Sequence, residues 1–213
     1  GLKVKKILMI IGGTAHPFAR CAAIFKTAME ATGQFVVEVT EDRNGLADLS
    51  AYDALVVYTV GGEMTRQQEQ GLCAYVRSGG GLFAIHCANA EMGAFAEYQE
   101  MIGTRFTGHG PIAEFDVETS ADCGDILPRL SSSFAITDEF YIVESTTDAE
   151  LRHFQHGMWQ FARHSLGYVR EYGRGRLLYT ALGHDERAFA HPEFQDLCAK
   201  SLRYVCGQNE EQP

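Results

Sequence analysis

The sequence predicts an α/β protein built on a parallel sheet, and three observations carry that expectation. Apolar runs at Val4–Ile11, Ala54–Val60, Leu82–Ile85 and Arg176–Leu182 have strand length and no polar face. Helical patterns separate them, as alternating strands and helices in a parallel sheet require. Each run also stops abruptly, at Gly12-Gly13, Gly61-Gly62, His86-Cys87 and Gly183-His184.

The elements follow in chain order. After the first strand, Pro17 opens a helix to about Thr32, with Cys21, Ile24, Phe25, Ala28 and Met29 in helical spacing. Gln34–Thr40 alternates as a strand. Thr65-Arg66-Gln67-Gln68 fits a capping box, and Leu72, Tyr75 and Val76 give the helix behind it a buried face. Gly79-Gly80-Gly81 reads as the turn from that helix into the Leu82–Ile85 strand, and a further helix is expected over about Glu91–Ile102. From Thr104 to Tyr172 the helical signal fades. Extended runs at Ala113–Thr119, Glu139–Val143 and Tyr168–Tyr172 there predict an antiparallel insertion. Pro192 opens the last helix, which carries Phe194, Leu197, Cys198, Leu202 and Val205, with Gly207 beyond it. No repeat or linker interrupts the pattern, so one domain over 1–207 is expected, with a flexible tail over 208–213.

Composition narrows the partners. The 213 residues are 46% hydrophobic and 22% charged, enough for one sizeable core. A net charge of −10 argues against nucleic acid and anionic membrane. Ile7–Ile11 is too short to cross a bilayer and follows no signal-peptide pattern, so a cytoplasmic location is expected. The six cysteines form no CxxC pair, and they read as reduced thiols, with Cys21, Cys73 and Cys198 on buried helix faces.

In open α/β sheets, ligands bind beyond the carboxyl ends of the strands. The predicted strands deliver His16 after the first, Glu63 and Thr65 after the third, His86, Cys87 and Asn89 after the fourth, and His184 and Asp185 after the last. His16-Pro17 also reads as a simple helix start. The glycine pairs lack the spacing of a phosphate-cradling loop. A neutral core histidine needs partners for both ring nitrogens, which makes His86 and His184 the stronger candidates. Cys87, one residue on from His86, reads as a packed thiol. In the insertion, His109 lies in a Gly- and Pro-shaped loop, while Asp138, Glu139 and Tyr141 share an apolar, aromatic stretch. That stretch reads either as a turn with an exposed strand or as buried carboxyls with raised pKa values.

These motifs resemble the trehalose-utilisation (ThuA-like) family of the class I glutamine amidotransferase-like superfamily. The residues that carry the resemblance are "YDALVVY" with "GGEMT" (52–58, 61–65), "GGGLFAIHCA" (79–88), "HGP" (109–111), "ITDEFY" (136–141) and "YGRGRLLYTALGHD" (172–185). The resemblance implies a flavodoxin-like three-layer sandwich with a mainly parallel central sheet. Amidotransferases of this fold carry a cysteine nucleophile on a Gly-x-Cys-x-Gly elbow. The matching place here is Ala84-Ile85-His86-Cys87-Ala88, so histidine stands for the nucleophile and both glycines are gone. His184-Asp185-Glu186 resembles their His-x-Glu, whereas His191-Pro192-Glu193 reads as a helix start. Many relatives carry Pro-x-x-Trp before the "YGRGR" motif, and Ser165-Leu166-Gly167-Tyr168 replaces it here.

The family implies catabolism of trehalose-like disaccharides through 3-keto sugars, hence a lyase or hydrolase acting on keto-glycosides. In that expectation His86, His184 and Asp138 are catalytic, and His16, Glu63, Thr65, Asn89, His109, Glu139, Tyr141 and Asp185 bind substrate. Imidazoles at His16, His86 and His184 suit acid–base work or a divalent metal ion. A non-catalytic sugar-binding domain and a Cys87-dependent amidase are the alternatives. The expected partner is a small carbohydrate, with no nucleic acid and no membrane, and a homo-oligomer is left open.

Overall fold

β1 (Lys5–Gly13), β3 (Ala54–Val60), β4 (Gly81–Ile85) and β9 (Gly175–Thr180) lie side by side and parallel, with β2 (Phe35–Thr40) on the outer flank of β1. The computed structural model describes residues 3–60, 64–90 and 95–207. All seven residues of β3 and all five of β4 are buried, as strands covered on both faces must be. Helices α1 (Phe18–Ala31) and α5 (Pro192–Val205) pack together on one face, and α2 (Arg66–Arg77) and α3 (Ala96–Ile102) pack together elsewhere over the sheet. A short helix α4 (Glu186–Phe189) follows β9. This is the flavodoxin-like α/β sandwich that the resemblance implies.

Local sequence explains the element ends. Thr65 Oγ1 accepts from Gln68 N at 3.1 Å while Gln68 Oε1 accepts from Thr65 N at 2.9 Å, completing the capping box. The triple glycine is a turn, because a Cβ on Gly80 would lie 2.4 Å from the Tyr75 ring and one on Gly81 2.4 Å from the Val205 carbonyl oxygen. The last helix starts where Pro192 predicts, with His191 as its cap, accepting from Glu193 N at 3.0 Å.

Residues 104–172 are larger in structure than the short extended runs suggest. They form β5 (Thr104–Thr119), β6 (Ser133–Ser145), β7 (Arg152–Trp159) and β8 (Ala162–Tyr172). These strands are no separate layer. β8 pairs antiparallel with β9, so the sheet continues as β2-β1-β3-β4-β9-β8-β7-β5-β6. β5 and β6 are paired along their length, with register shifts between Phe106 and Gly108 and between His109 and Ile112. Such bulges bend a strand and re-aim its side chains. The bend places the middle of β6 near the carboxyl ends of β4 and β9, where the histidines are.

Candidate active site

β4 ends at His86 in the left-handed region, with φ of 52°. That conformation costs an L-residue roughly 1–2 kcal/mol, so the surroundings must fix it. They do: the Tyr179 hydroxyl donates to the His86 carbonyl at 2.7 Å, and His86 Nδ1 lies 2.7 Å from the Ala181 carbonyl oxygen. A carbonyl only accepts, so Nδ1 carries the proton and Nε2 holds a lone pair. The ring is fully buried and stacked on Tyr141 at 3.6 Å between centroids.

His16 reaches the same place from β1, through a turn in which Ala15 has φ of 67°. Its Nδ1 lies 2.9 Å from the Thr14 carbonyl oxygen, which again leaves a lone pair on Nε2. His184 follows β9 and Gly183, where φ of 119° and a Cβ only 2.8 Å from Ile85 Cγ2 require glycine. Its loop is held by Asp138, which accepts from Gly183 N at 2.8 Å and His184 N at 2.9 Å, and by the Tyr58 hydroxyl, which donates to the Gly183 carbonyl at 2.7 Å.

The three imidazoles converge. Ring centroids are 5.2 Å apart for His16–His86, 4.7 Å for His16–His184 and 5.5 Å for His86–His184. Glu139, from β6, closes the fourth side. Its Oε1 is 3.5 Å from His86 Nε2 and 3.4 Å from His184 Nδ1, and its Oε2 is 3.4 Å from His109 Nδ1. One nitrogen on each of His16, His86 and His184 and one Glu139 oxygen lie within 4.8 Å of one another. Among the described residues, His16 Nε2, His86 Nε2 and His184 Nδ1 are buried without a hydrogen-bond partner. Burial pushes the His16 imidazole down to about 4 and holds that of His184 below its ordinary value. Burial would raise the Glu139 carboxyl, but the surrounding imidazoles outweigh it and hold the group below the usual range.

Several expected ligands are otherwise engaged. Asp138 is fully buried, and besides the two loop amides it accepts from Glu139 N at 2.8 Å. Burial raises its carboxyl, against the pull of His86 and those amides. Its oxygens thus hold the His184 loop. Thr65 spends its hydroxyl on the helix cap. Asp185 accepts from Arg187 N at 3.0 Å and pairs with the Arg187 guanidinium at 2.6 Å. Asn89 is fully buried and donates to Thr104 Oγ1 at 3.0 Å. Glu63 lies outside the described residues. His109 and Tyr141 do stand at the cluster: His109 is half-exposed beside Glu139, with Nδ1 2.7 Å from the Gly110 carbonyl oxygen, and Tyr141 is the floor under His86. Cys87 is fully buried, as a packed thiol would be.

Sequence reasoning did not single out Tyr58 and Tyr179, which anchor the two histidine loops. A signal existed. Each is a tyrosine inside an otherwise apolar strand, and a buried hydroxyl demands a partner.

Comparison with known proteins gives a family and a fold. The sequence pattern of the ThuA family, described as trehalose utilisation, matches residues 6–205. No curated protein matches the sequence. A ThuA-like protein from Parabacteroides merdae superposes with a TM-score of 0.85 at 18% identity, over 99% of this chain and 93% of that one. Another from Bacteroides uniformis gives 0.78 at 18% identity, over 96% and 93%. A β-galactosidase from Rahnella sp. R3 gives 0.68 at 15% identity, with 97% of this chain covering 31% of that one. At such identities the likeness shows the shared fold.

Proposed function

Because the chain belongs to the trehalose-utilisation family, we propose that its histidine cleft processes a 3-keto-glycoside by polar acid–base chemistry. The observation that carries the reading is the convergence of three imidazoles and one carboxylate at the carboxyl edge of the sheet, with a fourth imidazole at its lip. A carbonyl at C3 acidifies the neighbouring C2 proton. A base removes that proton, and its electron pair passes into a C2–C3 enolate. The enolate then re-forms the C3 carbonyl as a C1=C2 double bond forms and the C1–O bond breaks, and the departing oxygen takes a proton. This sequence needs a base, an electrophile at the enolate oxygen and an acid.

The roles divide by exposure. His109 is the base: its Nδ1–H is committed to Gly110, which leaves a lone pair on a half-exposed Nε2, and Glu139 stands 3.4 Å behind the ring. That is the base-and-orienter arrangement of general-base catalysis. The buried group of His16, His86, His184 and Glu139 surrounds the electrophile's position. Amidase chemistry has no support here, because an imidazole occupies the nucleophile's place and the neighbouring thiol is fully buried.

Turnover of 3-keto disaccharides beside their unoxidised parents tests the reading. Only the keto forms should be consumed, and Cys87→Ala should consume them equally well. No turnover across a panel of keto sugars that bind would leave a sugar-binding domain. Loss confined to Cys87→Ala would restore the amidase.

A further inference from the structure

We propose that His16 Nε2, His86 Nε2, His184 Nδ1 and a Glu139 carboxylate oxygen bind one divalent first-row transition-metal ion. Four donor atoms lie within 4.8 Å of one another, and three of them are buried nitrogens without a hydrogen-bond partner. Donors at metal-bond lengths of about 2.0–2.1 Å around a tetrahedral ion stand about 3.3 Å apart, so a small contraction of the four suffices.

Leaving such atoms unpartnered is unfavourable, so their convergence needs a reason. A single proton supplies a poor one. Placed on His86 Nε2 or His184 Nδ1, it would satisfy a contact with Glu139 and still leave His16 Nε2 with nothing to accept. A cation at the centre meets all four donors at once, and the carboxylate offsets part of its charge.

The ring nitrogens facing away from the centre support the same reading. His16 and His86 each donate Nδ1–H to a backbone carbonyl, at 2.9 Å to Thr14 and 2.7 Å to Ala181. Metal-bound imidazoles almost always donate their second nitrogen in this way, which fixes the tautomer and aims the lone pair. The supports are built in. His86 sits on strained backbone held by Tyr179, and the His184 loop hangs on Asp138 and Tyr58. Backbone strain kept in place by several neighbours is a mark of functional positions.

The donor set selects the ion. Calcium and magnesium prefer all-oxygen shells, whereas three imidazoles with one carboxylate suit zinc, cobalt, nickel or ferrous iron. The His86 side chain is sealed, and those of Glu139 and His184 are 11% and 15% exposed, so the ion would sit at the cleft floor. Under the proposed function that is the place of the electrophile facing the enolate oxygen.

Binding of the ion is read first, without substrate. Protein stripped with a chelator is titrated with Co²⁺, followed by the visible d–d absorbance of the bound ion, and with Zn²⁺ and Mn²⁺, followed by elemental analysis after desalting. One equivalent of Co²⁺ or Zn²⁺ should bind, with a rise in Tm. His16→Ala, on a half-buried loop, and Glu139→Gln should each weaken binding by at least about 100-fold, beyond the loss typical of an outer-shell partner. His153→Ala, outside the cluster, should bind like wild type, and melting curves of all metal-free variants exclude unfolding as the cause. Failure of all three ions to bind stoichiometrically, or undiminished binding by both His16→Ala and Glu139→Gln, overturns the site. Turnover of a keto sugar by protein that takes up none of the three ions overturns the site and leaves the sugar chemistry. Stoichiometric metal without turnover supports the site and removes the catalytic sugar reading instead.

Discussion

β4 and β6 reach the cleft from opposite halves of the sheet, and they deliver polar groups by different means. β4 is apolar along its buried length and places His86 only at its end, on strained backbone. β6 carries two adjacent carboxylates in mid-strand, and the alternation of side chains sends them to opposite tasks. Asp138 turns to the Gly183–His184 loop and accepts three backbone amides, while Glu139 turns to the imidazoles. A strand end contributes one functional group per strand. A mid-strand pair contributes one group for chemistry and one that builds the loop beside it.

Removing each carboxylate in turn tells the two tasks apart. The largest expected effect is on stability. Asp138→Ala strands two buried backbone donors and a part-buried third, and should cost about 3–5 kcal/mol, read from urea unfolding. A loss below about 1 kcal/mol would mean that Asp138 does not hold the loop.

His109→Ala comes next. It should lower turnover of a 3-keto disaccharide by at least about 10²-fold, the usual cost of losing a general base. The residue is half-exposed, so its melting temperature should stay near that of wild type. Unchanged turnover would move the base to the buried imidazoles.

Two smaller effects probe the supports. Tyr58→Phe removes one buried hydroxyl from the Gly183 carbonyl and should cost about 1 kcal/mol. Thr65→Ala removes the helix cap and should cost about 1 kcal/mol as well. Thermal or urea unfolding measures both. A drop in turnover beyond the loss of folded protein in Thr65→Ala would return that hydroxyl to the cleft.

The two halves also differed in how plainly the sequence announced them. The strands of the parallel half are apolar on both faces and end at glycine or histidine, so their positions and the convergence of His16, His86 and His184 could be read directly. The antiparallel half was legible only in fragments. β7 went unread because its segment, Arg152–Trp159, mixes histidine, glutamine and arginine, and register shifts around Gln155 break the two-residue alternation. Nor could the sequence say which of Asp138 and Glu139 faces the histidines. That choice depends on register with β5, which the bulges between Phe106 and Gly108 and between His109 and Ile112 reset. Thr65 and Asp185 follow strand ends and also cap the helices behind them, because helix starts use the same residue types.

Turnover of a 3-keto disaccharide by Glu139→Gln, with the melting temperature taken on the same sample, decides whether the carboxylate among the imidazoles takes part in the chemistry. The substitution keeps the shape of the side chain and removes the charge that three imidazoles face. Turnover should fall by at least about 10²-fold while the protein stays folded. A folded Glu139→Gln variant with wild-type turnover would contradict the account, because the carboxylate would then have no part in the chemistry.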